Sequence, residues 1–175
     1  YQQDGSPWHF DRNSIDILEN KNDVLTLWIL LIDLNNNTGG GLSLMEDVDL
    51  NKEIKKQIAC NLDNGQKFME ALNEVTTKLK IEIEKKQIIH SELKAGSILI
   101  FNNSLLHKSN PVLKENFTRS AYIVRLAKKS SKFNHNIIRK FCKQFETQNR
   151  NNSFLKLVKY HNFETVEDYV KYINQ

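Results

Sequence analysis

Two residues near the start of the chain have the types and the spacing of metal ligands. His9 and Asp11 stand two positions apart in the segment WHFD. In an extended segment, side chains two residues apart project from the same face, so both could reach one ion. An imidazole and a carboxylate suit a divalent first-row metal, and a second histidine on a facing strand would complete a 2-His-1-carboxylate triad with open coordination positions. His107, at the end of a buried strand pattern, is the obvious third ligand.

The His9 and Asp11 pair is weak evidence when it is taken alone. A His-x-Asp spacing arises by chance at an appreciable rate in a chain of 175 residues with 5 histidines. The alternative is a surface turn, in which Asp11 caps local backbone amides and His9 is incidental. The choice depends on whether the surrounding elements bring His107 to the pair.

Apolar runs predict the strands that could carry these ligands. Residues 24–34 (VLTLWILLIDL) are almost continuously apolar and are followed by NNNTGGG, which indicates a buried strand and then a tight, glycine-dependent connection. Residues 79–83 alternate apolar and charged side chains, as a half-exposed strand does. Further strands are predicted at 42–45, 98–101 and 120–127. Helical spacing predicts helices at 52–78, 136–148 and 166–173, the last with an approximate capping box at Thr165 and Asp168.

Length and composition predict one globular domain. The chain has 175 residues, of which 39% are hydrophobic and 26% charged. We divide it into a β-rich core over residues 1–127, with a helical insertion near 48–87, and C-terminal helices over 128–175. The insertion is either a lid or a supporting element. Because the chain opens on Tyr1 with neither a signal peptide nor a complete element, we expect upstream sequence to precede it.

Charge, hydropathy and cysteine usage limit the partners and the compartment. The net charge of +4 comes largely from residues after 125, where a solvated helix face explains it better than nucleic-acid binding. The chain has no apolar run of the roughly 18 residues that a membrane span requires. Cys60 and Cys142 lack metal-binding or redox spacing and are predicted to be packing residues of a reduced, cytoplasmic protein.

The order of these segments resembles a known family. WHFD, LTLWILLIDL, NNNTGGGLSLM, KAGSILIFNNSLLHKSNP and FTRSAYIVR follow one another as in iron(II)- and 2-oxoglutarate-dependent dioxygenases of the phytanoyl-CoA dioxygenase type. The resemblance covers residues 1 to about 127, apart from the insertion. It implies a mainly β fold with peripheral helices, namely a double-stranded β-helix of the jelly-roll or cupin-like kind, here lacking some of its N-terminal part.

The resemblance also implies a reaction. His9, Asp11 and His107 would hold iron(II), and 2-oxoglutarate would be converted to succinate and CO₂ with O₂ as oxidant and ascorbate as an optional reductant. Halogenases related to this family replace the carboxylate by a small residue, so Asp11 favours hydroxylation of a small organic substrate. The alternative is a non-catalytic cupin-like protein that binds a metal or another ligand. Four residues near the ligands in sequence could touch substrate: Gln2, Gln3, Arg12 and Asn102.

Three more residues are assigned to 2-oxoglutarate by the resemblance. Arg119 matches the basic residue that grips the distal carboxylate, since a guanidinium pairs with a carboxylate through two parallel hydrogen bonds. Ser109 matches the hydroxyl that assists there, and Trp28 the residue that lines the pocket. Arg125 competes with Arg119 for the first role, and Trp28 is also a plausible core residue. Three histidines lack partners at ligand spacing and are expected at the surface or behind the ligands: His90, His135 and His161.

Overall fold

The structure, a computed structural model, describes residues 4–11, 17–59, 65–102, 104–147 and 152–175. The strands in these ranges are β1 (Val24–Leu30), β2 (Leu42–Met45), β3 (Gln87–His90), β4 (Ile98–Asn102), β5 (His107–Ser109) and β6 (Ala121–Ala127). The helices are α1 (Val48–Ile58), α2 (Gly65–Lys78), α3 (Lys80–Lys86), α4 (His135–Thr147), α5 (Ser153–His161) and α6 (Val166–Ile173).

The strands form two sheets of three, in the orders β4-β1-β6 and β3-β2-β5. In the second sheet β2 lies in the middle and pairs antiparallel with both neighbours. Leu42 lies opposite His90 on β3 and opposite Ser109 on β5. Leu44 in the same way lies opposite Ile88 and His107. Two small sheets accompanied by helices agree with the predicted fold class.

Contacts between Cα atoms divide the chain into two compact units. The first contains Tyr1–Phe10, Trp28–Leu99 and Leu105–Val124. Its hydrophobic core comprises Phe10, Met45, Leu50, Ile54, Ile58, Phe68, Leu72, Val75, Ile83 and Leu106. Most of these side chains come from α1, α2 and α3, the helices of the insertion. The insertion therefore builds the core of this unit, which favours a supporting role over that of a lid.

The second unit contains Asp11–Leu27, Ile100–Ser104 and Arg125–Gln175. Its core comprises Ile17, Leu18, Val24, Phe133, Ile138, Cys142, Leu155 and Val158. Cys142 is a buried free thiol, as expected, and burial raises its pKa. Cys60 lies outside the described residues. The predicted capping box of α6 is present, with the Thr165 hydroxyl accepting from the Asp168 N–H and the Asp168 carboxylate accepting from the Thr165 N–H.

The strand predicted at residues 79–83 is wrong, because this segment is helical. Helix α3 covers Lys80–Lys86, and the strand begins only at Gln87. Leu79 and Ile83 are four residues apart and continue the apolar face of α2, so both pack on the core, whereas Ile81 is 68% exposed. A short alternation of apolar and charged residues is compatible with a strand or with a helix. Here the segment is helical because its apolar residues pack on the same core as the neighbouring helix α2. Helix α5 was not predicted, since its apolar pattern spans only nine residues.

The glycines at 39–41 make the tight connection into β2 that the sequence predicts. Gly39 and Gly40 have φ values of 65° and 81°, in the region that favours glycine. At Gly41 the reason is close approach, since a Cβ there would overlap the carbonyl oxygen of His90 on the adjacent strand. The strand predicted at 24–34 ends at Leu30, and Leu34 forms only an isolated bridge with Leu93.

The helical assignment of residues 80–86 can be tested with a matched pair of substitutions. Ile83→Ala should lower the free energy of unfolding by about 2–5 kcal/mol, because it leaves a cavity in a packed core. Ile81→Ala should change it by less than about 0.5 kcal/mol, because that side chain is exposed. Chemical denaturation of both variants measures the difference. Equal losses would instead place both residues on one face, as a strand requires.

Candidate metal centre

His9 and His107 are placed side by side by backbone pairing. His107 begins β5, and the segment containing His9 lies antiparallel to it, forming an isolated bridge. The His9 N–H donates to the His107 carbonyl oxygen at 2.8 Å, and the His107 N–H donates to the His9 carbonyl oxygen at 3.0 Å. Directly opposed residues of an antiparallel pair point to the same face. The ring centroids consequently lie 4.3 Å apart.

Each ring is oriented by the carbonyl oxygen of the residue two positions earlier. Nδ1 of His9 lies 2.9 Å from the Pro7 oxygen, and Nδ1 of His107 lies 2.9 Å from the Leu105 oxygen. A carbonyl oxygen only accepts, so the proton of each neutral ring belongs on Nδ1. In this tautomer Nε2 is the ring nitrogen that can ligate a metal, in the arrangement by which proteins commonly orient histidine ligands.

The carboxylate of Asp11 is held by two side chains from the strands β1 and β6. The Thr26 hydroxyl donates to Oδ2 at 3.1 Å, and the Arg125 guanidinium forms an ion pair with Oδ1 at 3.1 Å. The Asp11 side chain is only 11% exposed. These contacts orient the carboxylate.

The structure brings the three predicted ligands together. One donor atom from each of His9, Asp11 and His107 lies within 4.8 Å of the others. Two imidazole nitrogens and one carboxylate oxygen are a donor set that suits a divalent first-row metal. The residues present therefore fit a bound metal ion.

Asn51 on α1 fastens the backbone that precedes His107. Its side chain is buried, and its amide nitrogen donates to the carbonyl oxygens of Met45 and Asp47. Its oxygen accepts from the Leu106 N–H at 3.1 Å. The first helix of the insertion thus holds the end of β2 and the start of β5 together. In the sequence, the only indication of this role is that Asn51 is a polar residue on an otherwise apolar helix face.

The three residues assigned to 2-oxoglutarate occupy separate elements. Arg119 precedes β6, and its Nη1 donates to the Gly40 carbonyl oxygen at 3.3 Å. Its pKa is lowered by burial. Ser109 lies two residues after His107 on β5 and so on the same face. Trp28 is buried on β1. Their roles toward 2-oxoglutarate stay predictions.

Arg125 and Thr26 are the side chains whose part at the metal centre the sequence analysis did not identify. The sequence presents Arg125 only as a rival of Arg119, whereas the structure pairs it with Asp11. Thr26 is a polar residue inside an apolar strand, and that position was a usable signal. Gln2, Gln3 and Arg12 lie outside the described residues. The Asn102 side chain accepts from the Ser104 N–H at the end of β4.

A scan of known families identifies the N-terminal two thirds of the chain. Residues 1–121 match the family described as Phytanoyl-CoA dioxygenase (PhyH). The match confirms the resemblance found in the sequence and, with the two observed sheets, the jelly-roll fold class. It also agrees with iron(II) and 2-oxoglutarate as the cofactors of this family. No curated protein sequence matches the chain. Among the described residues, no helix is long and apolar enough to cross a membrane.

Several solved structures resemble the chain weakly. The non-heme alpha-ketoglutarate-dependent epimerase SnoN from nogalamycin biosynthesis matches with 11% identity and a TM-score of 0.46, over 75% of this chain and 42% of that one. The carbocyclase SnoK, from the same biosynthesis, matches with 16% identity and a TM-score of 0.48, over 74% and 46%. AviO1 from Streptomyces viridochromogenes Tue57 has 16% identity and a TM-score of 0.40, over 73% and 45%. The chain thus spans less than half the length of these structures.

The hydroxyl of Thr26 should matter for metal affinity. Thr26→Val removes the donor to Asp11 with little change in shape, and loss of such a partner typically lowers metal affinity about 10- to 100-fold. Thr76→Val is the matched control, since Thr76 is also buried but donates to the Leu72 carbonyl oxygen within its own helix. Calorimetric titration with Ni²⁺ measures both. Equal affinities in the Thr26→Val protein and the wild type would contradict the expected role.

Proposed function

The chain belongs to the phytanoyl-CoA dioxygenase family, and we propose that it is an iron(II)- and 2-oxoglutarate-dependent oxygenase that hydroxylates a small organic substrate. The observation that carries the proposal is the convergence of His9, Asp11 and His107 on one position. The three protein ligands leave coordination positions for a co-substrate and O₂. Iron bound there would supply the O₂ chemistry that couples oxidation of 2-oxoglutarate, to succinate and CO₂, with oxidation of the substrate.

The two histidines and the carboxylate would bind the metal without rearrangement of the backbone. The Nε2 atoms of His9 and His107 would be the ligand atoms, because Nδ1 of each ring faces a carbonyl oxygen. Thr26 and Arg125 hold the Asp11 carboxylate in place. Arg125 also places positive charge beside Asp11.

Arg119 is the candidate for the distal carboxylate of 2-oxoglutarate. A guanidinium carries five N–H donors in a planar fork, and one of them is used on the Gly40 carbonyl oxygen. The remaining donors suffice for a bidentate pair with a carboxylate, and partial burial strengthens such a pair. Ser109 contributes a hydroxyl on the face of His107, and Trp28 an apolar wall. Because Arg125 is engaged with Asp11, the structure supports Arg119 for this role.

Hydroxylation of a small molecule is the reaction that the intact carboxylate favours. Asp11 occupies the position that related halogenases leave to a halide, and its two side-chain partners fix it there. Some relatives of known structure are named as an epimerase, a carbocyclase or a monooxygenase. Identification of the product therefore distinguishes hydroxylation from epimerisation or ring closure.

Succinate formation from 2-oxoglutarate tests the proposal. With Fe(II), ascorbate and O₂, the wild type should release succinate slowly without substrate and faster when a substrate from a metabolite panel is added. His107→Ala should lower the rate at least 100-fold while leaving the thermal unfolding temperature within a few degrees, because it removes a ligand and keeps the β5 backbone. EDTA should abolish the activity, and added Fe(II) should restore it.

Two arginine variants separate co-substrate binding from general effects of charge. Arg119→Ala should raise the KM for 2-oxoglutarate at least tenfold, because a hydrogen-bonded charge pair is lost. Arg139→Ala is the control, since Arg139 is on α4 and contacts the exposed Asn136 side chain.

Equal succinate release by the wild type and His107→Ala would favour the alternative, a non-catalytic metal-binding protein.

A further inference from the structure

The sheet β4-β1-β6 has apolar side chains on both of its faces. Its strands read ILIFN, VLTLWIL and AYIVRLA in their order across the sheet. Strands with one face in water usually alternate apolar and polar residues, whereas near-continuous apolar runs are typical of strands that are covered on both faces. On β1 the face that carries Thr26 and Trp28 is buried. We call the opposite face, which is also apolar, the outer face.

The pairing of β1 with β6 shows which side chains share the outer face. The Leu31 N–H donates to the Ser120 carbonyl oxygen at 3.0 Å, and the Lys128 N–H donates to the Asp23 carbonyl oxygen at 3.1 Å. The two bonds are equally far apart on both strands, so a single antiparallel register joins them. Side chains alternate along a strand, and directly opposed residues share a face. The outer face therefore carries three apolar pairs, namely Leu25 with Leu126, Leu27 with Val124, and Ile29 with Tyr122.

Strand β4 extends the outer face on the other side of β1. The Leu30 N–H donates to the Ser97 carbonyl oxygen at 2.9 Å, so Ile98 and Ile100 alternate onto the face of Ile29. The most exposed outer side chains are Tyr122 at 64%, Ile100 at 63%, and Ile98 and Leu126 at 49% each. All eight side chains belong to described residues, and none of them is charged.

An apolar face of this size marks an interaction surface. At these exposed fractions the eight side chains leave roughly 600 Å² in contact with water, which is the upper end for the largest apolar patch of a typical monomer. A stable complex of standard size buries about 800 Å² on each partner, so the outer face and its border supply the area that a dimer needs. Charge is depleted and tyrosine enriched at the centre of such interfaces, as they are here.

The charges at the two ends of the sheet suit a second copy of the same chain. At one end Lys94 and Asp33 form an ion pair at 3.0 Å, with both side chains mostly exposed. At the other end Lys128 follows β6, and Asp23 precedes β1. Each end carries one basic and one acidic side chain, so two copies can face each other in either direction without an excess of like charge.

We propose that the outer face of the sheet β4-β1-β6 is the interface of a homodimer, in which two copies of the chain pack face to face. Two-fold symmetry presents the same patch from both copies, so one apolar surface meets an equally apolar one. Stacked sheets lie about 10 Å apart with interdigitated side chains, which removes the outer side chains from water. The dimer does not depend on the proposed reaction, since none of its eight side chains belongs to the metal centre.

Analytical ultracentrifugation of the 175-residue chain at about 1–200 μM tests the dimer. The wild type should shift from 20.5 kDa toward twice that mass as its concentration rises, because interfaces of standard size have dissociation constants of micromolar or lower. Ile100→Lys should raise the dissociation constant at least about 30-fold. The substitution places a charge in the apolar interface and brings like charges of the two copies together.

Two further variants complete the comparison. Ile81→Lys is the matched control, since Ile81 is 68% exposed on α3 and lies outside the sheet β4-β1-β6. It should leave the dissociation constant within about twofold, as surface substitutions outside an interface do. Leu126→Lys repeats the test on β6 and should weaken the dimer as Ile100→Lys does. Thermal unfolding of dilute protein shows which variants are folded.

The outcomes decide the occupant of the outer face. Loss of the dimer in folded Ile100→Lys or Leu126→Lys protein, with Ile81→Lys unchanged, supports the proposal. A wild type that stays at 20.5 kDa throughout overturns it, and so does a dimer that all three variants keep or lose equally. If the monomeric wild type cosediments with phosphatidylcholine vesicles, the face binds lipid instead of a second copy. A monomer that ignores such vesicles assigns it to a different polypeptide.

Discussion

The antiparallel pairing of β5 is the constraint on which the candidate site depends. On one side β5 pairs with β2 through Leu44 and Leu42, and on the other His107 pairs with His9. Side chains alternate between the faces of a strand, so a shift of one residue in either pairing would turn a histidine away from its partner. Burial alone does not select the register on the β2 side, because all four residues of β2 are at most 4% exposed and both of its faces are covered. The register is held instead by specific contacts such as the hydrogen bond from the Ser43 hydroxyl to Oδ1 of Asn110 and the bonds of Asn51 to Met45 and Leu106.

The carboxylate poses a different physical problem, that of a charge placed away from water. Asp11 is only 11% exposed, and a poorly solvated carboxylate requires compensating charge or hydrogen bonds. Thr26 supplies a hydrogen bond and Arg125 a compensating charge. Arg125 is itself 39% exposed, so its guanidinium can adjust toward solvent as a cation binds.

The sequence predicts what local patterns determine and misses what distant contacts determine. The strands at 42–45 and 120–127 and the capping box at Thr165 follow from apolar runs and cap chemistry, and the structure confirms them. The three candidate ligands follow from the order of segments that resembles the family, and the structure places one donor atom of each within 4.8 Å of the others. The helix at 80–86 is not evident from the sequence, because its apolar residues are compatible with a strand or with a helix. Only their packing against the neighbouring core makes the segment helical. The ion pair of Arg125 with Asp11 joins residues 114 positions apart, and no local pattern reports such a contact.

The insertion explains how so small a sheet can hold a site at all. The strands β2, β3 and β5 have only 4, 4 and 3 residues, and a sheet of this size buries too little apolar surface to be stable without a packed layer. The helices α1, α2 and α3 provide that layer, since most of the core of this unit comes from them. Asn51 adds a polar connection, because it binds the carbonyl oxygen at the end of β2 and the N–H just before His107. A helix that supplies both core side chains and a polar anchor for the backbone before β5 is a structural part of this unit, which favours the supporting role for the insertion.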